Sequence, residues 1–123
     1  MPRILVIEDN PLFRETMKEM LERKNYQVIT AEDGEKGIQA LKTTPVDLVI
    51  TDIIMPVKDG VTTIQEIQKD FPAVKIIAMS GGGALNSGEN YLEATKFVTH
   101  IKHVLTKPFF GEQLFQAIDE LLG

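Results

Sequence analysis

Four apolar runs in this chain end in polar or charged residues, and this pattern constrains the fold more than any other feature. The ends are Glu8 with Asp9, Asp52, Ser80 and Lys107. A strand buried on both faces of a parallel sheet reads as a continuous apolar run, and all strands of such a sheet point their carboxyl ends at one edge. The sequence therefore predicts that these side chains meet in one crevice.

Helical patterns alternate with strand-like runs along the whole chain. The predicted strands are Arg3–Ile7, Tyr26–Thr30, Val46–Thr51, Val74–Met79 and Lys102–Thr106. The first predicted helix has a cap at Asn10, begins at Pro11 and runs to Lys24. The others run from a cap at Asp33 past Leu41, from a cap at Asp59 to about Phe71, from Glu89 to about Thr99, and from Gly111 to Leu122. Short connections between them imply right-handed crossovers. We predict an α/β, doubly wound (βα)5 flavodoxin-like three-layer sandwich, with a five-stranded parallel sheet of order 2-1-3-4-5.

Composition narrows the class of protein. The 123 residues suit one domain spanning 1–123, and the absence of cysteine excludes disulfides and thiolate sites. A net charge of −5 argues against direct binding of nucleic acid, which needs a basic surface. No apolar stretch approaches the ~18 residues of a membrane span, and the N-terminus lacks a signal-peptide pattern. We expect a cytoplasmic protein with no membrane insertion.

The predicted strand order makes Glu8, Asp9 and Asp52 neighbours, because it places the ends of the first and third strands side by side. Three carboxylates this close repel one another, so the cluster needs protonation or a cation. Oxygen ligands suit a hard divalent ion, and Mg2+ is usually held by one or two carboxylates together with phosphate oxygens and water. We therefore expect Mg2+ to be the cofactor.

Four segments, in this order, resemble the receiver domain of two-component response regulators, and the resemblance covers nearly the whole chain. They are Ile7–Asn10, Asp52–Gly60, Met79–Gly81 and Leu105–Phe109. Each contains the polar end of a predicted strand, and each is weak evidence alone. Together they are specific.

The resemblance implies a role for each residue of the crevice. Asp52 would be the phosphoacceptor, and Lys107 and Ser80 would contact the phosphoryl oxygens. Glu8, Asp9 and Asp52 would hold Mg2+ together with the backbone carbonyl of Ile54. Such a protein catalyses only its own phosphorylation and dephosphorylation and is not otherwise an enzyme.

The resemblance also implies partners. The phosphoryl donor would be a phosphohistidine on a sensor histidine kinase or a histidine phosphotransfer protein. Phosphorylation would change binding to a downstream protein through the face formed by the predicted helix at 89–99, the fifth strand and the last helix. The sequence ends just after that helix, so we expect a stand-alone receiver, the alternative being a piece of a longer regulator.

Two other functions remain open. A phosphatase of the haloacid-dehalogenase-like type also forms an aspartyl phosphate, but it needs a second Asp two residues after the nucleophile, where this chain has Ile54. A receiver-like docking module that is never phosphorylated is the other alternative. Taken singly, Asp9 or Asn10 could be a helix cap, Ser80 an ordinary turn residue and Lys107 a solvated surface amine.

Three features depart from the usual receiver pattern. Val104 stands where receivers carry an aromatic residue, three positions before the lysine, which argues against signalling through rotation of a ring. The interval from Ser80 to Lys107 is longer than usual and includes a glycine-rich segment, 81–88, that is either a moving element or an ordinary surface loop. His100 replaces a small residue. We interpret His100 and His103 as a helix cap and a strand-start residue rather than metal ligands.

Overall fold

The structure, a computed structural model, describes residues 2–53, 60–80, 101, 103–107, 109 and 111–123. In these ranges it contains five strands and four helices. The strands are β1 (Arg3–Ile7), β2 (Gln27–Ala31), β3 (Leu48–Asp52), β4 (Lys75–Ser80) and β5 (Val104–Thr106). The helices are α1 (Pro11–Arg23), α2 (Gly34–Thr43), α3 (Gly60–Asp70) and α4 (Gly111–Leu122). None of these helices is both long and apolar enough to cross a membrane.

The five strands form one parallel sheet of order β2-β1-β3-β4-β5, which confirms the predicted topology. The register places Ile7 beside Thr51, so the residues that follow β1 lie next to the end of β3. Asp52 is in turn beside Met79. The carboxyl ends of β1, β3 and β4 therefore form one continuous edge.

Each face of the sheet carries its own apolar core, because successive strand residues point to opposite faces. Ile4 and Val6 pack with buried residues of α1 and α4, whereas Leu5 and Ile7 pack with those of α2 and α3. Met17 and Met79 are fully buried in the first of these cores, as expected from their role as space-filling residues. The helices therefore form the two outer layers of a three-layer sandwich.

The first two helices begin at the caps that the sequence predicts. The Asn10 side chain accepts a hydrogen bond from the Phe13 backbone N–H at 3.0 Å, and Pro11 follows it. Asp33 accepts one from the Lys36 backbone N–H at 2.9 Å. Such side chains satisfy backbone donors that have no partner inside the helix. As a result, α1 starts immediately beside the carboxyl edge of β1.

Several boundaries differ from the prediction by one or two residues. β2 and β4 begin and end one residue later than predicted, since the sheet pairs Gln27 with Arg3 and Ser80 with Thr106. β3 begins at Leu48 rather than Val46. The predicted start of the fifth strand at Lys102, the glycine-rich segment 81–88, the helix at 89–99 and the cap at Asp59 all lie outside the described residues.

Candidate functional site

Glu8 is a buried carboxylic acid at the end of β1. Its backbone N–H donates to the Ala31 carbonyl at 3.0 Å, and the residue is only 1% exposed. One side-chain oxygen accepts from the Asn10 backbone N–H at 3.1 Å, and the other contacts the Lys107 ammonium. Burial raises the pKa of Glu8, although the contacts with Lys107 and Asn10 oppose the rise. Both oxygens of this carboxylate are therefore used within the protein.

Asp52 ends β3 and is 5% exposed. The next residue, Ile53, donates its backbone N–H to the Met79 carbonyl at 2.8 Å and accepts from the Gly60 N–H at 2.6 Å. A Cβ at Gly60 would overlap the backbone of Asp52 and Ile53. Only glycine therefore lets the start of α3 approach the end of β3 this closely, and the approach restrains the backbone that carries the Asp52 carboxylate.

Carboxylate oxygens of Glu8, Asp9 and Asp52 lie within 4.8 Å of one another, as the sequence predicts. Asp9 is exposed, and the cap of α1 is its neighbour Asn10, so the alternative role of Asp9 as the helix cap is wrong. Three acids at this spacing repel one another and offer oxygen ligands of the kind that hard divalent cations prefer. The donor set therefore fits Mg2+.

Lys107 follows β5, the outermost strand beyond β4, and its side chain reaches the carboxylates at the carboxyl edge of the sheet. Its ammonium Nζ donates to Asp52 Oδ2 at 2.9 Å and also contacts Glu8 Oε1. Burial alone would lower the pKa of Lys107, but the hydrogen bonds and charges of Glu8 and Asp52 outweigh it and raise that pKa above its ordinary value. Its side chain is 19% exposed, so Lys107 is an ion-paired residue rather than a solvated surface amine.

Ser80 is the last residue of β4 and is 4% exposed. Its backbone carbonyl accepts the Lys107 N–H at 2.8 Å, which fixes the two residues side by side. Since Asp52 pairs with Met79, Ser80 lies one step beyond Asp52 along the same edge. Of the predicted site, only the Ile54 carbonyl lies outside the described residues.

Two neighbours of the site, Phe13 and Arg14, were missed in the sequence. The Arg14 guanidinium donates to the Glu8 carbonyl at 2.9 Å, and the Lys107 ammonium lies 4.3 Å from the centre of the Phe13 ring. The sequence feature that could have identified them is their position at the start of a helix that begins directly after Glu8 and Asp9. In the sequence, Phe13 is simply one apolar residue of that helix.

The described histidine lies away from this cluster. His103 directly precedes β5, in agreement with its interpretation as a strand-start residue, and its Nε2 is 2.7 Å from Glu120 Oε2 of α4. His100 lies outside the described residues. Val104 begins β5 and is partly buried against the core on the α2 and α3 face.

Comparison with known proteins agrees with this geometry. Residues 4–119 match the family described as the response regulator receiver domain. The transcriptional regulatory protein GlrR of Escherichia coli is 33% identical over 119 residues, which are 97% of this chain but 26% of GlrR. The chain thus spans about a quarter of that relative's length. The chemotaxis protein CheY of Bacillus subtilis is 30% identical over 122 residues, 98% of both chains.

A solved structure is similar in both fold and sequence. The response regulator TrrA of Thermotoga maritima, crystallised with Mg(2+)-BeF, has a TM-score of 0.83 and 31% identity, and the match covers 98% of this chain and 99% of TrrA. TrrA in complex with the histidine kinase ThkA also has a TM-score of 0.83, with 32% identity over 100% of both chains. The chain therefore belongs to the response regulator receiver domain family and functions as a phosphorelay receiver in two-component signalling.

Proposed function

We propose that Asp52 is the phosphoacceptor of a single receiver domain spanning residues 1–123. The observation that carries the proposal is the position of the Asp52 carboxylate, which lies within 4.8 Å of two other acids and 2.9 Å from the Lys107 ammonium. A carboxylate that is almost fully buried at the end of an apolar strand has little structural reason to be there. The Lys107 ammonium beside it, together with a cation held by the three acids, would suit a group with several negatively charged oxygens.

In the proposed reaction an Asp52 carboxylate oxygen attacks the phosphorus of a phosphohistidine. A P–O bond forms while the P–N bond breaks, and its electron pair stays on the departing imidazole. The product is an aspartyl phosphate on Asp52. The raised pKa keeps Lys107 protonated at neutral pH, so its ammonium can pair with a phosphoryl oxygen. Ser80, next to Lys107 at the same edge, would donate its hydroxyl to another oxygen.

Mg2+ belongs to the proposal as the cofactor. Glu8, Asp9 and Asp52 would hold it, together with the Ile54 carbonyl of the family pattern. When bound, the ion supplies positive charge that offsets the repulsion among the carboxylates and the incoming phosphoryl oxygens. The chain's own contribution is the arrangement of the acids, which the Glu8 contacts with Asn10 and Lys107 hold in place.

The proposal extends to partners. A sensor histidine kinase or a histidine phosphotransfer protein would donate the phosphoryl group, and the solved complex of TrrA with ThkA supports the kinase. The chain would act catalytically only on itself, in the cytoplasm, where the ATP used by such kinases is available. A downstream protein would bind differently after phosphorylation, through β5, α4 and the helix predicted at 89–99, which lies outside the described residues.

The test is phosphorylation by acetyl phosphate with Mg2+, followed by intact mass spectrometry. We expect the wild-type protein to gain one phosphoryl group, and to gain none when Mg2+ is omitted. Asp52→Asn should abolish the gain, because an amide is not a competent nucleophile. Asp33→Asn is a matched control, since Asp33 is also buried, at 8% exposed, but caps α2.

Two outcomes would overturn the proposal. One is a folded wild-type protein that gains no phosphoryl group with Mg2+ present. The other is an Asp52→Asn variant that gains the group at the wild-type rate, which would place the acceptor elsewhere. Asp33→Asn should label at the wild-type rate. Loss of labelling in this control would mean that removing any buried carboxylate is enough to prevent labelling, so the loss in Asp52→Asn would not identify the acceptor.

A further inference from the structure

Two aromatic rings lie beside the Lys107 ammonium. The Nζ atom is 4.3 Å from the centre of the Phe13 ring, over its face. Phe109 meets Phe13 edge-on, with ring centres 6.0 Å apart and planes at 84°. We call Phe13 and Phe109 the aromatic pair. They come from opposite ends of the chain, so the fold, rather than local sequence, brings them to the lysine.

The aromatic pair is held firmly by its surroundings. Phe13 lies in the first turn of α1, where its backbone N–H is fixed by the Asn10 cap. Phe109 follows Lys107 by two residues. Both rings pack against the core on the α1 and α4 face of the sheet, and both are partly buried. The ring next to the ammonium is therefore packed against the core and is not a solvent-exposed side chain.

The remaining described partners of the Lys107 ammonium are the carboxylates of Glu8 and Asp52. Their attraction for the ammonium weakens once a cation shares them, and the charge on Asp52 moves outward to the phosphoryl oxygens once it is phosphorylated. The attraction of a ring face for an ammonium does not depend on these charges. It is also stronger when the cation is partly shielded from water, as at Lys107, which is 19% exposed.

We infer that Phe13, supported by Phe109, is a positioning residue for Lys107 in phosphoryl transfer. The ring keeps the ammonium at the carboxyl edge through the step in which its carboxylate partners change charge. This inference rests on the proposed function of Asp52. The contact between the Phe13 ring and the Lys107 ammonium can be measured without the reaction, so it can be tested separately from it.

The first measurement is NMR of the protein without Mg2+. A ring face shifts nearby protons upfield, so the ε-methylene protons of Lys107 should lose an upfield shift in Phe13→Leu and keep it in Phe13→Tyr. Phe115→Leu is the matched control, because Phe115 is also partly buried against the same core and lies 5.0 Å from the Lys24 ammonium. It should leave the Lys107 signals unchanged. An unchanged Lys107 signal in Phe13→Leu would overturn the inference.

The second measurement is the initial rate of labelling by acetyl phosphate at fixed Mg2+. We expect Phe13→Leu to slow labelling about three- to tenfold and Phe13→Tyr to stay near the wild-type rate, given the strength of partly shielded cation–π contacts. Phe115→Leu should label at the wild-type rate with a similar loss of thermal stability. In a Lys107→Met background, Phe13→Leu should not slow labelling further, because the contact between the ring and the ammonium is already absent there.

The outcomes separate the two proposals. Absence of labelling in the wild-type protein counts against Asp52 as the acceptor, and the NMR result then still decides the ring contact. Labelling of the wild-type protein with equal rates for Phe13→Leu and Phe115→Leu overturns the positioning role. An effect of Phe13→Leu that persists in full in the Lys107→Met background also overturns it, since the ring would then act through packing alone.

Discussion

The two edges of the sheet both gather charged side chains, but they do so in different ways. At the amino edge, Arg3 donates its backbone N–H to the Asp47 carboxylate at 2.8 Å, and its guanidinium donates to the Pro45 carbonyl and the Gln27 side chain. The cation and the anion of these contacts are therefore each bonded to neutral groups, near solvent. At the carboxyl edge, among the described residues, three carboxylates meet the Lys107 ammonium and a guanidinium bonded to the Glu8 backbone, and two of the three acids are almost fully buried.

This difference separates a structural cluster from a functional one. The amino-edge contacts join β1 to β2 and to the residues before β3, and they contain one positive and one negative group. Among the described residues at the carboxyl edge, the three carboxylates outnumber the two cations, and two of the acids are buried away from water. Such an arrangement costs stability in the absence of a ligand and favours the binding of a cation. The imbalance, rather than the number of charges, marks the carboxyl edge as the site.

The largest expected effect comes from removing the cation at each edge. Lys107→Met leaves the buried Glu8 and Asp52 carboxylates without their shared cation, and we expect it to lower the free energy of unfolding by about 3 kcal/mol at neutral pH without Mg2+. Arg3→Met removes hydrogen bonds to neutral, exposed acceptors and should cost about 1 kcal/mol. Urea denaturation measures both. Equal losses would contradict the distinction between the edges.

The loss in Lys107→Met should depend on pH in a definite direction. Burial already raises the pKa of Glu8, and removing Lys107 takes away a contact that opposes the rise. The folded variant then binds a proton more tightly than the unfolded chain, so its stability is greatest at low pH and is lost as pH rises through the folded pKa of Glu8. The difference in unfolding free energy between Lys107→Met and wild type should narrow as pH falls toward 4.5, the ordinary pKa of a glutamic acid, whereas the loss in Arg3→Met should stay nearly constant.

The next largest expected effect on stability comes from substituting glycine. One glycine starts α3 beside the carboxyl edge, and the other lies within α2. A Cβ at Gly60 would overlap backbone atoms of Asp52 and Ile53, so Gly60→Ala should cost about 2 kcal/mol and slow labelling of Asp52. The atoms nearest to a Cβ at Gly37 belong to the side chain of Ile7, which would have to shift, rather than to backbone. Gly37→Ala also gains helix propensity, so its net cost should stay below about 1 kcal/mol, with labelling unchanged. A larger loss of stability in Gly37→Ala than in Gly60→Ala would mean that the end of β3 can move to make room for the added methyl group.

The fold and the acidic cluster could be predicted from the sequence because both follow from short-range patterns. Buried strands are continuous apolar runs, and the cap at Asn10 with Pro11 after it predicts where α1 begins. Once the strand order is assumed, the meeting of Glu8 with Asp52 follows from topology alone. The ends of β2 and β4 were misjudged by one residue, because a strand boundary depends on pairing with its neighbour rather than on its own composition.

The contacts of individual side chains could not be predicted in the same way. Phe13 reads as one apolar residue of a helix face, and only the packed structure reveals that its ring also faces the Lys107 ammonium. Likewise, Arg3 and Asp47 are ordinary surface charges in the sequence, and their contact depends on the register of β1 with β3. Such contacts join residues far apart in the chain, and their geometry depends on rotamers that no local pattern encodes.

The smallest expected effect comes from removing one negative charge at each edge, and the resulting change in the free energy of unfolding has opposite signs at the two edges. Asp9→Asn removes one of three neighbouring negative charges, so without Mg2+ it should raise the free energy of unfolding by about 1 kcal/mol. Asp47→Asn weakens an exposed hydrogen bond to the Arg3 backbone and should lower it by about 0.5 kcal/mol. Urea denaturation at low ionic strength measures both, since salt screens an exposed charge such as Asp9.

Adding Mg2+ should reverse the order of stability, so that wild type becomes more stable than Asp9→Asn. A ligand that binds only the folded protein stabilises it more when its affinity is higher, and the variant has lost one of the charged oxygen donors that would hold the ion. Asp47→Asn should gain as much stability from Mg2+ as wild type does, because its change lies at the opposite edge. If Asp9→Asn were destabilising without Mg2+, the acids at the carboxyl edge would be balanced by partners of their own, and charge imbalance could no longer distinguish the site from the amino-edge cluster.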